Sequence, residues 1–122
     1  MARRANELVI ILWRDIPAQV NGKAGADKHQ WILPRRFQKA IDRAAMVAGR
    51  KTAQEYVAEW RRSASPLEGD LVTTVDATAA TLETEFTEER LEALVANGGW
   101  DPAAPHDRTD DPAHAPEQDD NS

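Results

Sequence analysis

The 122-residue chain contains no cysteine, only three histidines and no apolar run longer than the six residues from Leu8 to Trp13. Without cysteine there is no disulfide framework, no thiolate metal site and no cysteine nucleophile, and the chain reads as cytoplasmic. His29, His106 and His114 show neither His-x-x-x-His nor glutamate-paired helical spacing, so no metal site is expected. Six apolar residues followed by Arg14 and Asp15 are too few for a signal-peptide core or a membrane span. The glycines of Asn-Gly-Lys-Ala-Gly at 21–25 match neither Gly-x-x-x-x-Gly-Lys-Ser/Thr nor Gly-x-Gly-x-x-Gly, so no nucleotide cofactor is implied. Ser63 and Ser65 have no histidine near them in sequence, and no catalytic residue is assigned.

What the chain does hold is 41% apolar residues, enough at this length for one small core and a single domain. The formal charge of −6 conceals a division. Residues 1–62 carry 13 Lys+Arg against 6 Asp+Glu, a balance of +7, whereas residues 63–122 carry 2 against 15, a balance of −13. A basic half is joined to an acidic half, which either presents its cations to an external anion or neutralises them within the fold.

From Glu7 to Trp13 the pattern is that of a central strand covered on both faces. Asp15-Ile16-Pro17 breaks it, and residues 14–28 are expected to form a long loop with a turn at Asn21-Gly22. A second strand is expected over His29–Leu33, stopped by Pro34, which also opens a helix. Phe37, Ile41, Ala44 and Ala48 recur at helical spacing, and Gly49 ends that helix. Thr52-Ala-Gln-Glu55 is a capping box, with Tyr56, Val57 and Trp60 carrying a second helix to about Arg62. Ser65-Pro-Leu-Glu68 reads as another capping box ahead of Leu71, Val75, Leu82 and Phe86 in helical phase, although Val72–Val75 alone has strand character. Thr87, Glu88 and Glu89 start a last helix, closed by Asn97-Gly98-Gly99. The expectation is an α+β domain over residues 1–99 with about four helices and a small two-stranded, at most three-stranded, sheet. A disordered Pro/Ala/Asp-rich acidic tail follows over residues 100–122.

On that reading Arg14, Gln19, Lys23 and Lys28 gather at one end of the sheet. Arg35 and Arg36 join them at a helix N-terminus, where free backbone N–H groups favour an anion. Arginines in a first turn oppose the helix dipole by about 0.3–1 kcal/mol each, so a counter-anion should lie near. It comes from Asp15, Asp27 or the acidic half, or from outside the molecule. Trp13 and Trp60 are expected in the core, and Trp31 is placed to stack on a ligand. The expected ligand- or partner-binding set is Arg14, Asp15, Gln19, Lys23, Lys28, Trp31, Arg35, Arg36 and Lys39. Nucleic acid is disfavoured by a pI near 5.0 and by the lack of an RNP-like strand series. The acidic tail acts either as a solubiliser or as a screen across the basic loop.

The strings WRDIPAQV from Trp13, ILPRRFQKAIDR from Ile32 and YVAEWR from Tyr56 resemble a small bacterial family labelled only "virulence factor". The resemblance covers about residues 7–98, and Trp-Arg-Asp-Ile-Pro-Ala-Gln is its specific part. Members stand alone at about this size or form a domain of larger proteins with helical repeats and an iron–sulfur-scaffold-like segment. Some short forms lie beside folate-dependent one-carbon enzymes. The resemblance implies an accessory, protein-interaction role, with a one-carbon enzyme as a suggested partner, and brings no catalytic residue.

The expected function is therefore a non-catalytic accessory domain that docks on an acidic partner protein or an anionic cofactor through its basic loop–helix surface. The alternative is a binder or enzyme subunit for an anionic small molecule, a polyglutamylated folate or a phosphorylated metabolite, clamped by Arg14, Lys23, Arg35 and Arg36. A two-stranded sheet is marginal in water, so its exposed edge is expected to pair with another chain in a homodimer or a complex.

Overall fold

The structure, a computed structural model, describes residues 6–50 and 52–102. The apolar run forms β1 (Glu7–Trp13), a central strand. It pairs antiparallel with β2 (Ile16–Ala24) on one side and with β4 (Trp60–Pro66) on the other. β3 (Asp27–Ile32) adds to β2, giving the order β3-β2-β1-β4. Four helices complete the α+β fold: α1 (Arg35–Val47), α2 (Ala53–Val57), α3 (Leu71–Glu85) and α4 (Glu88–Ala96).

The sheet thus has four strands where two, at most three, were expected, and two segments account for the difference. Residues 14–28 are not a loop with a turn at Asn21-Gly22. Asn21 pairs with Val9 on one side and Gln30 on the other, and the hairpin reverses instead at Gly25-Ala26, with Gly25 at φ 62°. Ladder bonds to strands on both sides outweigh the poor strand propensity of Pro17, Asn21, Gly22 and Lys23. Gly22 is there for packing, since a Cβ would lie 2.5 Å from Val75 Cγ2 and 2.7 Å from Leu71 Cδ1. α3 could not otherwise approach β2 so closely.

The second segment follows α2. The Thr52 capping box forms as expected, with the Thr52 hydroxyl accepting from the Glu55 N–H at 3.1 Å. The helix ends at Val57, however, and does not continue to Arg62. The free edge of β1 needs hydrogen-bonding partners, and Trp60–Pro66 supplies them as β4, overriding the helical spacing of Trp60. Ser65 and Pro66 therefore end a strand and cap no helix. Asp70 caps α3, its carboxylate accepting from the Thr73 N–H at 2.9 Å, and Val72–Val75 is helical. Thr87 caps α4 by accepting from the Arg90 N–H at 3.1 Å. The expected disordered tail falls, from residue 103 onward, outside the described residues.

Strand alternation gives the sheet two unlike faces. Val20 and Gly22 of β2, with His29 and Trp31 opposite them on β3, face α3. There Val20, Val75 and Ala79 join Ile16, Phe37, Ile41, Ala44 and Leu94 in one buried core. His29 Nε2 meets Asp76 Oδ1 at 3.0 Å and Trp31 Nε1 donates to Glu83 Oε2 at 3.1 Å, tying β3 to α3. The other face carries Val9 and Ile11, Gln19, Asn21 and Lys23, then Lys28, Gln30 and Ile32, with Arg62 and Ala64. Of these Lys28, Gln30, Ile32, Arg62 and Ala64 are exposed.

Gly22→Val should lower Tm by about 4 °C or more in thermal unfolding, since overpacking a tight site costs about 1–3 kcal/mol and each kcal/mol moves a domain of this size by about 4–8 °C. A variant melting with the parent would contradict the close approach of α3 to β2.

Candidate functional site

Among the described residues, the cations singled out in the sequence fall into three places. The first place is the turn between β1 and β2. Arg14 there has φ 54°, a left-handed conformation that a non-glycine residue adopts at a cost of about 1–3 kcal/mol. Its side chain is buried between two indoles, 5.3 Å from the Trp13 ring centroid and 5.1 Å from that of Trp100. Arg14 Nη1 donates to the Gly98 carbonyl at 3.0 Å and Nη2 to Glu59 Oε2 at 3.3 Å, while Nε lies 3.2 Å from Glu59 Oε1. Glu59 also pairs with Arg50 Nε at 3.2 Å.

Asp15 continues the clasp. Its carboxylate takes Arg61 Nη2 at 2.8 Å on Oδ1 and the Asp101 N–H at 2.8 Å on Oδ2, and its own N–H donates to the Gly99 carbonyl at 2.9 Å. Arg61 Nε donates to the Arg14 carbonyl at 2.8 Å. Gly99, at φ 100°, must lack a side chain, because a Cβ would lie 2.9 Å from Trp13 and 3.2 Å from Arg14. The turn thus fastens the start of β4 and the chain after α4 to the end of β1.

The second place is the start of α1. Arg36 Nη2 donates to the carbonyls of Glu83, at 2.7 Å, and Phe86, at 3.2 Å, closing the C-terminal end of α3, where a cation is favoured. Its guanidinium covers the Phe37 ring at 4.8 Å. Arg35 and Lys39 are exposed on α1. Beside them a cleft between α1 and α4 sets Arg36, Lys39 and Arg43 against Glu88, Glu89 and Glu92, so its charges balance. Arg43 and Glu92 form a two-point pair at 2.6 and 3.0 Å. The hydrogen bond to Glu92 raises the Arg43 pKa, and the same bond lowers that of Glu92.

The third place is the sheet face turned away from α3. The register sets Lys23 directly across from Lys28, and like charges so opposed destabilise a strand pair. Neither ammonium has an ion-pair partner among the described residues. Glu7 neighbours Lys23 across β1 and β2, but it is shared with Arg62, whose Nη2 lies 3.8 Å from Glu7 Oε1. Three cations therefore surround one carboxylate. They line a hollow of about 450 Å³ together with the amides of Asn21 and Gln30. Gln19, one strand step beyond, holds Asn21 by donating from Nε2 to Asn21 Oδ1 at 3.1 Å.

Of the nine residues singled out in the sequence, the structure brings together Lys23 and Lys28, with Gln19 on the same face. Arg14 and Asp15 lie at the far end of β1 and β2, Trp31 and Arg36 are bound to α3, and Arg35 and Lys39 sit on α1. Sequence reasoning missed Arg62, which reaches the hollow only through the pairing of β4, as well as Glu7, Asn21 and Gln30. The alternation Gln19-Val20-Asn21-Gly22-Lys23, polar at every second position, was the available signal for a strand with one covered face.

The fold and the hollow define a small α+β protein with one helix-packed and one charged sheet face. The chain belongs to the virulence factor family, whose description, "Virulence factor", matches residues 11–95. No curated relative and no solved structure matches it. The string Trp13-Arg14-Asp15-Ile16-Pro17-Ala18-Gln19 is the clasp turn and the start of β2.

Arg14→Ala should lower stability by about 3–5 kcal/mol, the usual cost of removing one partner from a buried ion pair. Chemical denaturation with the midpoint read by tryptophan fluorescence measures it. Arg14→Lys should recover little, because an ammonium cannot span Gly98 and Glu59 or lie flat between two indoles. Parent-like stability in both variants would refute the clasp.

Proposed function

We propose that this protein is a non-catalytic docking domain that holds an acidic partner protein on the face of its sheet turned away from α3. The observation that carries this reading is the Lys23–Lys28 opposition. Two lysines stand directly opposite each other in the strand register and line one hollow with Arg62 and a single carboxylate, Glu7. Such an arrangement weakens the free protein and is relieved by a bound anion. The clasp cations, by contrast, already hold internal partners.

The site contains two lysines, an arginine and amides beside Glu7 and His29, and the described residues hold no group of three or more His, Cys, Asp or Glu that could bind a metal ion. Charge recognition is the chemistry these residues offer. No helix among the described residues is long and apolar enough to cross a membrane. We place the action in the cytoplasm, where an enzyme of folate-dependent one-carbon metabolism is the partner the family resemblance suggests.

A second reading has one observation in its favour: a hollow of about 450 Å³ falls within the size range of small-molecule sites, about 300–1,000 Å³. An anionic metabolite would there bridge Lys23, Lys28 and Arg62. A polyglutamylated folate joins both readings, being a small molecule with a protein-like acidic tail.

Lys28→Glu separates function from stability. It replaces a repelling cross-strand pair by an attracting one, so Tm should rise by about 1–4 °C. Binding of a fluorescein-labelled hexaglutamate peptide to the full chain, read by anisotropy at low salt, should weaken at least tenfold. Unchanged peptide binding in this variant would exclude the hollow as the recognition surface.

A further inference from the structure

Resting on the docking reading, we propose that the recognition surface is bipartite and that its occupant is an acidic protein segment bearing a large apolar side chain about 13 Å from its carboxylates. The apolar half lies beside the basic one on the same sheet face. Ile11, Ile32 and Trp60 border a second hollow of about 450 Å³, closed at one side by Leu33 and Gln38. Ile32, at the end of β3, is 67% exposed. Asn21 lines both hollows, so they adjoin on the sheet.

The register supplies the spacing. Ile32 pairs with Gln19 and Lys28 with Lys23, so the two halves stand four residues apart along β2, roughly 13 Å at a rise of about 3.3 Å per residue. The charge is set by Lys23, Lys28 and Arg62 and the anchor by Ile11, Ile32 and Trp60.

Three observations choose a protein segment over other occupants. The apolar half is mainly aliphatic, and its one aromatic, Trp60, already meets the edge of Tyr56 with ring centroids 5.9 Å apart, so it offers no platform for stacked bases. The chain's own residues 103–122 include six carboxylates but no large apolar side chain, and so fit only the basic half. A second copy that covered this face with its own would have to lay the basic hollow against another of the same sign or against the apolar one.

The test uses the full chain and labelled twelve-residue probes read by anisotropy: an acidic peptide with a leucine four positions from a Glu-Glu pair, its leucine-to-serine analogue, and a thymidine dodecanucleotide. The leucine peptide should bind about tenfold more tightly than its serine analogue. Ile32→Ser should abolish that advantage while leaving the salt-sensitive binding of the serine peptide intact. Lys23→Ala with Lys28→Ala should weaken both peptides. Equal affinity for the two peptides in the parent protein would overturn the bipartite surface and leave the basic docking reading standing, whereas loss of all peptide binding would remove both. Tighter binding of the oligonucleotide would overturn the choice of a protein occupant. So would a dimer in light scattering that Ile32→Ser dissociates, since the two hollows would then be filled by a second copy.

Discussion

Arg14 is the side chain on which the architecture turns. It lies in a strained left-handed turn, yet it gathers Glu59, from 45 residues on, and the Gly98 carbonyl, from 84 residues on, around one guanidinium. Those partners belong to the approach to β4 and to the exit from α4. Fixing them beside Trp13 brings β4 to the open edge of β1 and closes the helical layer over the core. The string from Trp13 to Pro17 thus has a role in folding: Trp13 supplies buried area and a stacking surface, Arg14 the fork, Asp15 the acceptor for Arg61 and the Asp101 N–H, and Pro17 a covered position within β2.

That clasp also decides which charges remain for function. Of the arginine ion pairs, Arg43–Glu92 joins the basic half of the sequence to the acidic half, whereas Arg14–Glu59 and Arg61–Asp15 close within the basic half and Arg90–Asp101 within the acidic one. Arg36 is satisfied by carbonyls at the end of α3. Internal neutralisation thus accounts for most of the arginines, and what is left on the sheet is a pair of lysines. The distinction is chemical. The guanidinium groups of Arg14, Arg36 and Arg43 are committed to two-point contacts inside the molecule, whereas the ammonium groups of Lys23 and Lys28, which suit loosely ordered anions, stand beside Arg62 without an ion-pair partner among the described residues.

Elements with local signals were legible in the sequence. α1, α3 and α4, the caps at Thr52 and Thr87, the stop at Gly49 and the central position of β1 all follow from spacing and turn chemistry within a dozen residues. β2 and β4 were not, because a strand containing Pro17, Asn21 and Gly22, or one reading Trp-Arg-Arg-Ser-Ala-Ser-Pro, is made by its neighbours and not by its own propensity. The site divides the same way. Lys23 and Lys28 could be singled out as basic, but their direct opposition is a property of register, and Arg62 joins them only through a strand pairing more than fifty residues apart in sequence. Arg14 was visible as a cation, whereas its burial depends on groups that no local window contains.

Arg14 is engaged inside the molecule, and in the proposed docking Lys23 and Lys28 meet the partner. Two-dimensional NMR of the ¹⁵N-labelled chain titrated with hexaglutamate addresses both halves at once. It should show saturable shifts at the amides of Asn21, Lys23, Lys28, Gln30 and Arg62, with the Arg14 Nε–H resonance unmoved. Shifts centred instead on Arg14, or on Arg35 and Lys39 of α1, would contradict it.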